Sequence, residues 1–428
     1  MNEMIRNPIA TGVCLNNIKE TKFKSVRISA TMIVSLEKET AAAYSLLPSV
    51  LTYSCAKYPD TTALNKVLAS LYGAGLGGYC RKIGEALAVT VGIFGIDDRY
   101  AIDNETVSSK LTALLCEVLF HPKTENYAFC EKDFEQCKRQ LLEAIDGEFN
   151  DKRSYAVAQM LTEMCAEEKF GIRKYVSRQA VENLRAEDLY RAWKTILQNS
   201  RVEIMVVGNN DINTTKQIFT EKFSAYNRTV PEITTEIRSK VDKVKTVLEI
   251  SDIAQAKLVM GFRTPVARPS ADTVAMSLTV AVLGGTPSSK FFLHIREKLS
   301  LCYYCAARYE KYKGIVIVDS GVEKDNVEKT IEEIQNQLNE MKKGNISDFE
   351  IDSAKLAIIN SYKSIPDTLS GVENWYFGQL LDENSMSVEE CITAVKNVDK
   401  ETIVRLANTI VLDTVYRLQP CPTQKEES

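Results

Sequence analysis

The sequence predicts an α+β protein of two homologous domains, each a sheet with helices packed on one face. Three observations carry that expectation. The chain has 428 residues, more than one ordinary core accommodates, so two to four domains are expected. A helix-plus-strand segment recurs in register in the second half, and a helix–strand–turn–strand segment recurs earlier in each half.

The first repeat is the sharper one. "AVENLRAEDLYRAWKTIL" begins at Ala180 and "AVKNVDKETIVRLANTIV" at Ala394, an offset of 394 − 180 = 214, half the chain. Identities fall at Ala180/Ala394, Val181/Val395, Asn183/Asn397, Glu187/Glu401, Arg191/Arg405, Thr195/Thr409 and Ile196/Ile410. Each copy reads as a capped amphipathic helix, followed by the strand "VEIMVVGN" or "DTVYRLQP". The second repeat pairs "LNKVLASLYGAGLGGYCRKIGEALAVTVGIFG" with "FFLHIREKLSLCYYCAARYEKYKGIVIVDSG". Apolar residues alternate in "ALAVTVGIF" and "GIVIVDSGV", as in strands with one buried face. A polar, charged stretch separates the halves, which gives a first domain over 1–225, a linker over 226–244 and a second domain over 245–428.

Composition bounds the function. The chain is 45% hydrophobic and 26% charged, with a net charge of -4 and no basic block, which argues against nucleic acid or an anionic membrane as the main partner. No apolar run approaches the ~20 residues that span a bilayer. The N-terminal "MNEMIRNPIATGVCL" lacks the pattern of a signal peptide. Eleven scattered cysteines without such a signal fit reduced thiols and a cytoplasmic location. Cys302 and Cys305 have the spacing of a redox pair, but they lie in an expected strand, where residues three apart face opposite sides.

The remaining motifs divide into structural and reactive readings. Gly73, Gly75 and Gly78 form a formal G-x-G-x-x-G, yet they close a helix and open a strand, the reverse of a dinucleotide site. His121 and His294 are the only histidines, and neither has a second ligand at metal-binding spacing. A serine or cysteine nucleophile would need a base within reach, and the two histidines give a triad little support. Arg296 and Tyr303 stand seven residues apart, across a helix end and a strand start. A guanidinium and a phenol at one sheet edge are able to donate together to a peptide carbonyl.

At these residues the chain resembles the insulinase/pitrilysin-like metallopeptidases. "LGGTPSSKFFLHIREKLSLCYY" is similar to their second domain, with its Gly-Gly, Ser-Ser-basic stretch, Arg-Glu-Lys and a Tyr seven residues after the Arg. "RAEDLYRAWKTILQNSRVEIMVVGN" is similar to the end of their first domain. The resemblance implies two antiparallel-rich mixed sheets, each with helices on one face, together forming half of a clamshell. Active members bind zinc through an inverted His-x-x-Glu-His on a first-domain helix, plus a distant Glu. Here Ser45 falls at the first His, Pro48 at the Glu, Ser49 at the second His and Ala144 at the distant Glu, with Glu143 one residue away.

The resemblance therefore implies an inactive chain with no metal or other cofactor of its own. It would pair as a heterodimer with an active zinc peptidase. Arg296 and Tyr303 would complete the partner's zinc site, with Tyr304 beside them in substrate binding. A peptide or small protein would be held at a sheet edge and processed, as in leader-peptide removal. The nearest type is a small bacterial non-catalytic one associated with 5-aminopentanol modification of elongation factor P. The alternatives are a non-proteolytic peptide-binding scaffold linked to that modification, a structural subunit of a larger complex, and an independent cysteine enzyme.

Overall fold

A computed structural model describes residues 3–210, 212–380 and 386–421. The first half begins with strands β1 (Met4–Ala10), β2 (Val13–Ile18) and β3 (Ser25–Ser35), then helices α1 (Ala41–Leu51) and α2 (Thr61–Ser70). A hairpin follows, β4 (Gly75–Ile83) and β5 (Ala86–Ile96), then α3 (Val107–Phe120). A two-strand ribbon, β6 (Thr124–Glu125) and β7 (Ala128–Phe129), leads into α4 (Glu131–Asp146) and α5 (Lys152–Met164). The half ends with α6 (Arg178–Glu182), α7 (Ala186–Asn199), β8 (Arg201–Val207) and α8 (Ile212–Ser224).

The second half opens with β9 (Lys245–Ser251), β10 (Ala256–Arg263) and α9 (Thr273–Val280). Two π-helical segments, Ala281–Gly285 and Phe291–Lys298, precede the hairpin β11 (Cys302–Glu310) and β12 (Ile315–Val322). Helices α10 (Val327–Lys342), α11 (Asp348–Ser364), α12 (Leu369–Phe377), α13 (Val388–Asn397) and α14 (Lys400–Ala407) precede the last strand, β13 (Val411–Pro420).

These elements form two compact units whose borders do not follow the chain halves. The first contains the chain up to Asp146, Ile172–Thr234 and a segment beginning at Ile365 that carries α12. Its sheet has the order β1-β2-β8-β3-β5-β4. β2 and β8 are parallel and the other neighbours antiparallel. One face packs Ile28 and Met32 of β3 and Val89 and Val91 of β5 against Leu47, Leu115, Ile196 and Phe219 of α1, α3, α7 and α8. On the same sheet, buried Glu373 of α12 accepts hydrogen bonds from Arg27 and Ser29 of β3.

The second unit contains Gly147–Gly171 with α5, then Thr235–Ser364, and ends with α13, α14 and β13. Its sheet has the order β11-β12-β10-β13-β9, with β13 and β9 parallel and the rest antiparallel. The run β9-β13-β10-β12-β11 thus has the strand order and pairing sense of β2-β8-β3-β5-β4. Two separate cores cover the sheet. One joins Met260 and Val318 to Ile334, Ala354 and Leu406 of α10, α11 and α14. The other joins Val259, Tyr416 and Leu418 to Ala156 and Met160 of α5. Gly261 allows α5 to approach, because a Cβ there would lie 2.5 Å from the Met164 sulfur.

Two local expectations change in detail. The repeat read as one helix is a pair of helices in both copies, α6–α7 and α13–α14. Each second helix starts on its own carboxylate cap: Asp188 accepts from the Arg185 N–H at 3.0 Å and Asp399 from the Thr402 N–H at 2.8 Å. The stretch 226–244 carries no helix or strand. Within it Arg228 is buried and donates to the carbonyls of Thr11, Leu197 and Ser200; burial brings its pKa down to about 10.

Candidate functional site

The residues that the resemblance sets at the zinc-ligand positions lie on α1 and α4, which pack against each other in the first unit. Ser45 is nearly buried, and its hydroxyl donates to the Lys174 carbonyl. Cys80 of β4 lies nearby, where burial pushes its thiol up to about 11 although Ser45 opposes the shift. The segment that brings in Lys174 is anchored by Tyr175, buried with Ala42 and Val181. Pro48 is buried inside α1, where its carbonyl accepts from the Thr52 N–H at 3.1 Å and hydroxyl at 2.9 Å. Gly78 of β4 meets it closely: a Cβ there would stand 2.7 Å from the Pro48 Cβ. The glycine run after α2 therefore ends a helix and lets a strand pass α1, with Gly73 at φ 73°.

Ser49 and Ala144 are exposed, and so is Glu143, whose carboxylate sits 3.8 Å from Arg139 one turn back on α4. The four residues set there by resemblance offer two neutral hydroxyls, a pyrrolidine ring and a methyl group. This donor set does not fit a zinc ion, which takes imidazole, thiolate or carboxylate ligands. His121 is no substitute: it caps α3, with Nδ1 3.1 Å from Glu117. His294 lies inside the Phe291–Lys298 segment of the second unit.

Arg296 and Tyr303 belong to the second unit. Arg296 lies in the last turn of the π-helical segment with its side chain 43% exposed and its guanidinium 4.7 Å from the Phe292 ring centre. Tyr303 is 62% exposed, and its hydroxyl donates to Glu323 at 2.9 Å. That hydrogen bond, reinforced by the carboxylate charge, holds the phenol above the ordinary tyrosine value. Arg296 is close enough to Cys302, the residue before Tyr303, to favour its thiolate. The next residue points elsewhere: the Arg153 guanidinium lies 4.3 Å from the Tyr304 ring centre. Burial pushes the Tyr304 phenol up to about 12, and its hydroxyl has no hydrogen-bond partner among the described residues.

Cys302 and Cys305 correct the sequence reading. They do not face opposite sides: both are buried in the core beneath α10 and α14. The cause is a bulge. Cys302 pairs with Val322 and Tyr304 with Gly321, which leaves Tyr303 as the extra residue. No local signal in "CYYC" marks this irregularity.

Glu323→Gln is expected to lower the pH at which Tyr303 ionises, because it removes the charge that opposes phenolate. An ultraviolet difference titration against Tyr303→Phe reads this directly. An unchanged Tyr303 titration would show that Glu323 does not control the phenol.

Comparison with known proteins places the chain among relatives of the same fold. The family model described as the peptidase M16 inactive domain matches residues 183–358. The chain is 30% identical over 408 residues to a probable inactive metalloprotease, YmfF, of Bacillus subtilis (strain 168), covering 95% of this chain and 96% of that protein. It is 25% identical over 167 residues to an uncharacterized zinc protease of Rickettsia bellii, covering 37% of this chain and 39% of that one. A conserved protein from Enterococcus faecalis V583 superposes with a TM-score of 0.91 at 24% identity, over 98% of this chain and 99% of its own. A peptidase M16 inactive domain from Pseudomonas fluorescens gives 0.79 at 15% identity, over 99% of both chains. Among the described residues, no helix is long and apolar enough to cross a membrane. The chain belongs to the M16 metallopeptidase family, as one of its inactive homologues.

Proposed function

We propose that this chain is the non-catalytic subunit of a heterodimeric zinc peptidase in the cytoplasm. It binds a peptide and supplies Arg296 and Tyr303 to the active site of a partner that retains His-x-x-Glu-His. The role is peptide or leader-peptide processing. In this reading the chain is an internal duplication whose first half has lost the metal and whose second half has kept the donors. One contrast carries it: the ligand positions hold Ser45, Pro48, Ser49 and Ala144, while Arg296 and Tyr303 remain exposed beside the start of β11.

Two features of the geometry support the donor and peptide-binding roles. Arg296 presents a planar donor group to solvent, and Tyr303 a hydroxyl that donates to the exposed carboxylate of Glu323. Both are able to donate to a carbonyl oxygen that gains charge during hydrolysis. β4 is the edge strand of the first unit's sheet, with Gly77 and Tyr79 exposed, and an extended peptide would add to this edge. The test is co-expression with an active homologue followed by a peptide-cleavage assay. Hydrolysis is expected from the pair and not from this chain alone. A partner whose full activity is unaffected by this chain would contradict the proposal.

A second reading is a non-proteolytic peptide-binding scaffold linked to elongation factor P modification. The observation favouring it is the Tyr303–Glu323 hydrogen bond, which already uses the phenol. Peptide binding without any cleavage in the presence of active homologues would select it.

A further inference from the structure

The bulge in β11 brings two thiols within reach of one another. Cys302 stands opposite Val322 and Cys305 opposite Ser320, so three residue steps on β11 match two on β12. Two steps of extended strand span about 7 Å, against about 10 Å for three in a regular strand. The cysteine Cα atoms are therefore about 7 Å apart, at the outer limit of what a disulfide bridges. Both thiols belong to the same buried core, on one face of the sheet, and Ser320 stands opposite Cys305 on β12.

We propose that Cys302 and Cys305 are a modification site, closing to a reversible intramolecular disulfide with a two-electron oxidant of the peroxide class. Cys302 is the attacking thiol. Its neighbour Cys305, then Ser320 and the Arg296 charge, hold its pKa below the ordinary thiol value despite burial. Burial pushes Cys305 well up, and the neighbouring Cys302 adds to the shift, so it resolves rather than attacks. The Cys302 sulfur attacks one peroxide oxygen, the O–O bond breaks and one water leaves, giving a sulfenic acid. The Cys305 sulfur then displaces that hydroxyl, the S–S bond forms and a second water leaves. Two thiol hydrogens end in water, and two electrons pass from the sulfurs to the peroxide. A dithiol reductant reverses the step by exchange.

Closure draws in the bulge around Tyr303. Its hydroxyl then leaves the Glu323 position, which changes the donor geometry beside Arg296. That consequence rests on the donor reading proposed above, whereas the thiol chemistry does not, and the experiment reads the thiols alone.

The purified chain is treated with hydrogen peroxide, its remaining thiols are blocked with iodoacetamide, and it is digested with trypsin. One peptide, Leu299–Arg308, carries both cysteines. It is expected to be unalkylated and lighter by two hydrogen atoms, and to become doubly alkylated after dithiothreitol. In Cys305→Ser, Cys302 is expected to stop at a sulfenic acid that dimedone traps. Exposed Cys421 reports that the oxidant has acted. A doubly alkylated Leu299–Arg308 peptide, from a sample in which Cys421 has been oxidised, would overturn the proposal without requiring any variant to fold.

Discussion

Arg296→Ala is expected to lower the turnover of the assembled peptidase by roughly 10²–10³, and Tyr303→Phe to act in the same direction. The argument starts from where charge appears. In peptide hydrolysis the carbonyl oxygen becomes an oxyanion, and a donor aimed at it acts most strongly in the transition state. The loss should therefore fall on kcat more than on KM. Tyr303→Phe removes one hydroxyl and leaves the ring, so it separates donation from packing. Arg296→Lys keeps the charge but loses the planar pair of donors, and should recover only part of the rate. The double variant should cost less than the product of the single effects, since both donors serve one oxygen. Full kcat in both single variants would remove the donor role.

Glu168→Gln is expected to destabilise the protein by about 3–5 kcal/mol, read from urea unfolding. Glu168 follows α5 and is buried in the second unit with its carboxylate 2.6 Å from Arg263 and 2.6 Å from Lys313. Arg263 also reaches Asp413 at 2.5 Å, so β10, β13 and the segment after α5 meet at this cluster. An amide would leave Lys313 and Arg263 buried with too little negative charge between them. Burial alone would raise the Glu168 pKa, but the hydrogen bonds from Arg263 and Lys313 outweigh it and hold the group below its usual value. A carboxylate depressed in this way contributes stability above its unfolded-state pKa and loses it as pH falls through the folded-state value. The wild type should therefore lose stability in acid more steeply than Glu168→Gln. Equal acid sensitivity of the two proteins would show that the cluster is not the anchor described.

How much of this was legible in the sequence depended on how local the cause was. The register-matched repeat pointed to α7–β8 and α14–β13, because amphipathic period and capping residues are written along one short stretch. The glycines at 73, 75 and 78 were legible for the same reason, since they are needed at the exit of α2 and beside Pro48. The destinations of α5 and α12 were not. Their apolar stripes say that a sheet covers them, not which sheet, and that is decided by pairs such as Arg153–Asp319 and Arg27–Glu373 between distant parts of the chain. The bulge at Tyr303 was hidden because "CYYCAARYE" reads as a regular strand until β12 imposes its register. The Lys174 carbonyl that takes the Ser45 hydroxyl comes from 129 residues away, beyond any motif.

Metal analysis of the purified chain, with a peptide-cleavage assay on the same sample, tests the central claim most directly. The account predicts no stoichiometric zinc and no hydrolysis, with zinc and hydrolysis appearing together once an active homologue is added. Tightly held zinc and cleavage in a sample free of any second protein would contradict it.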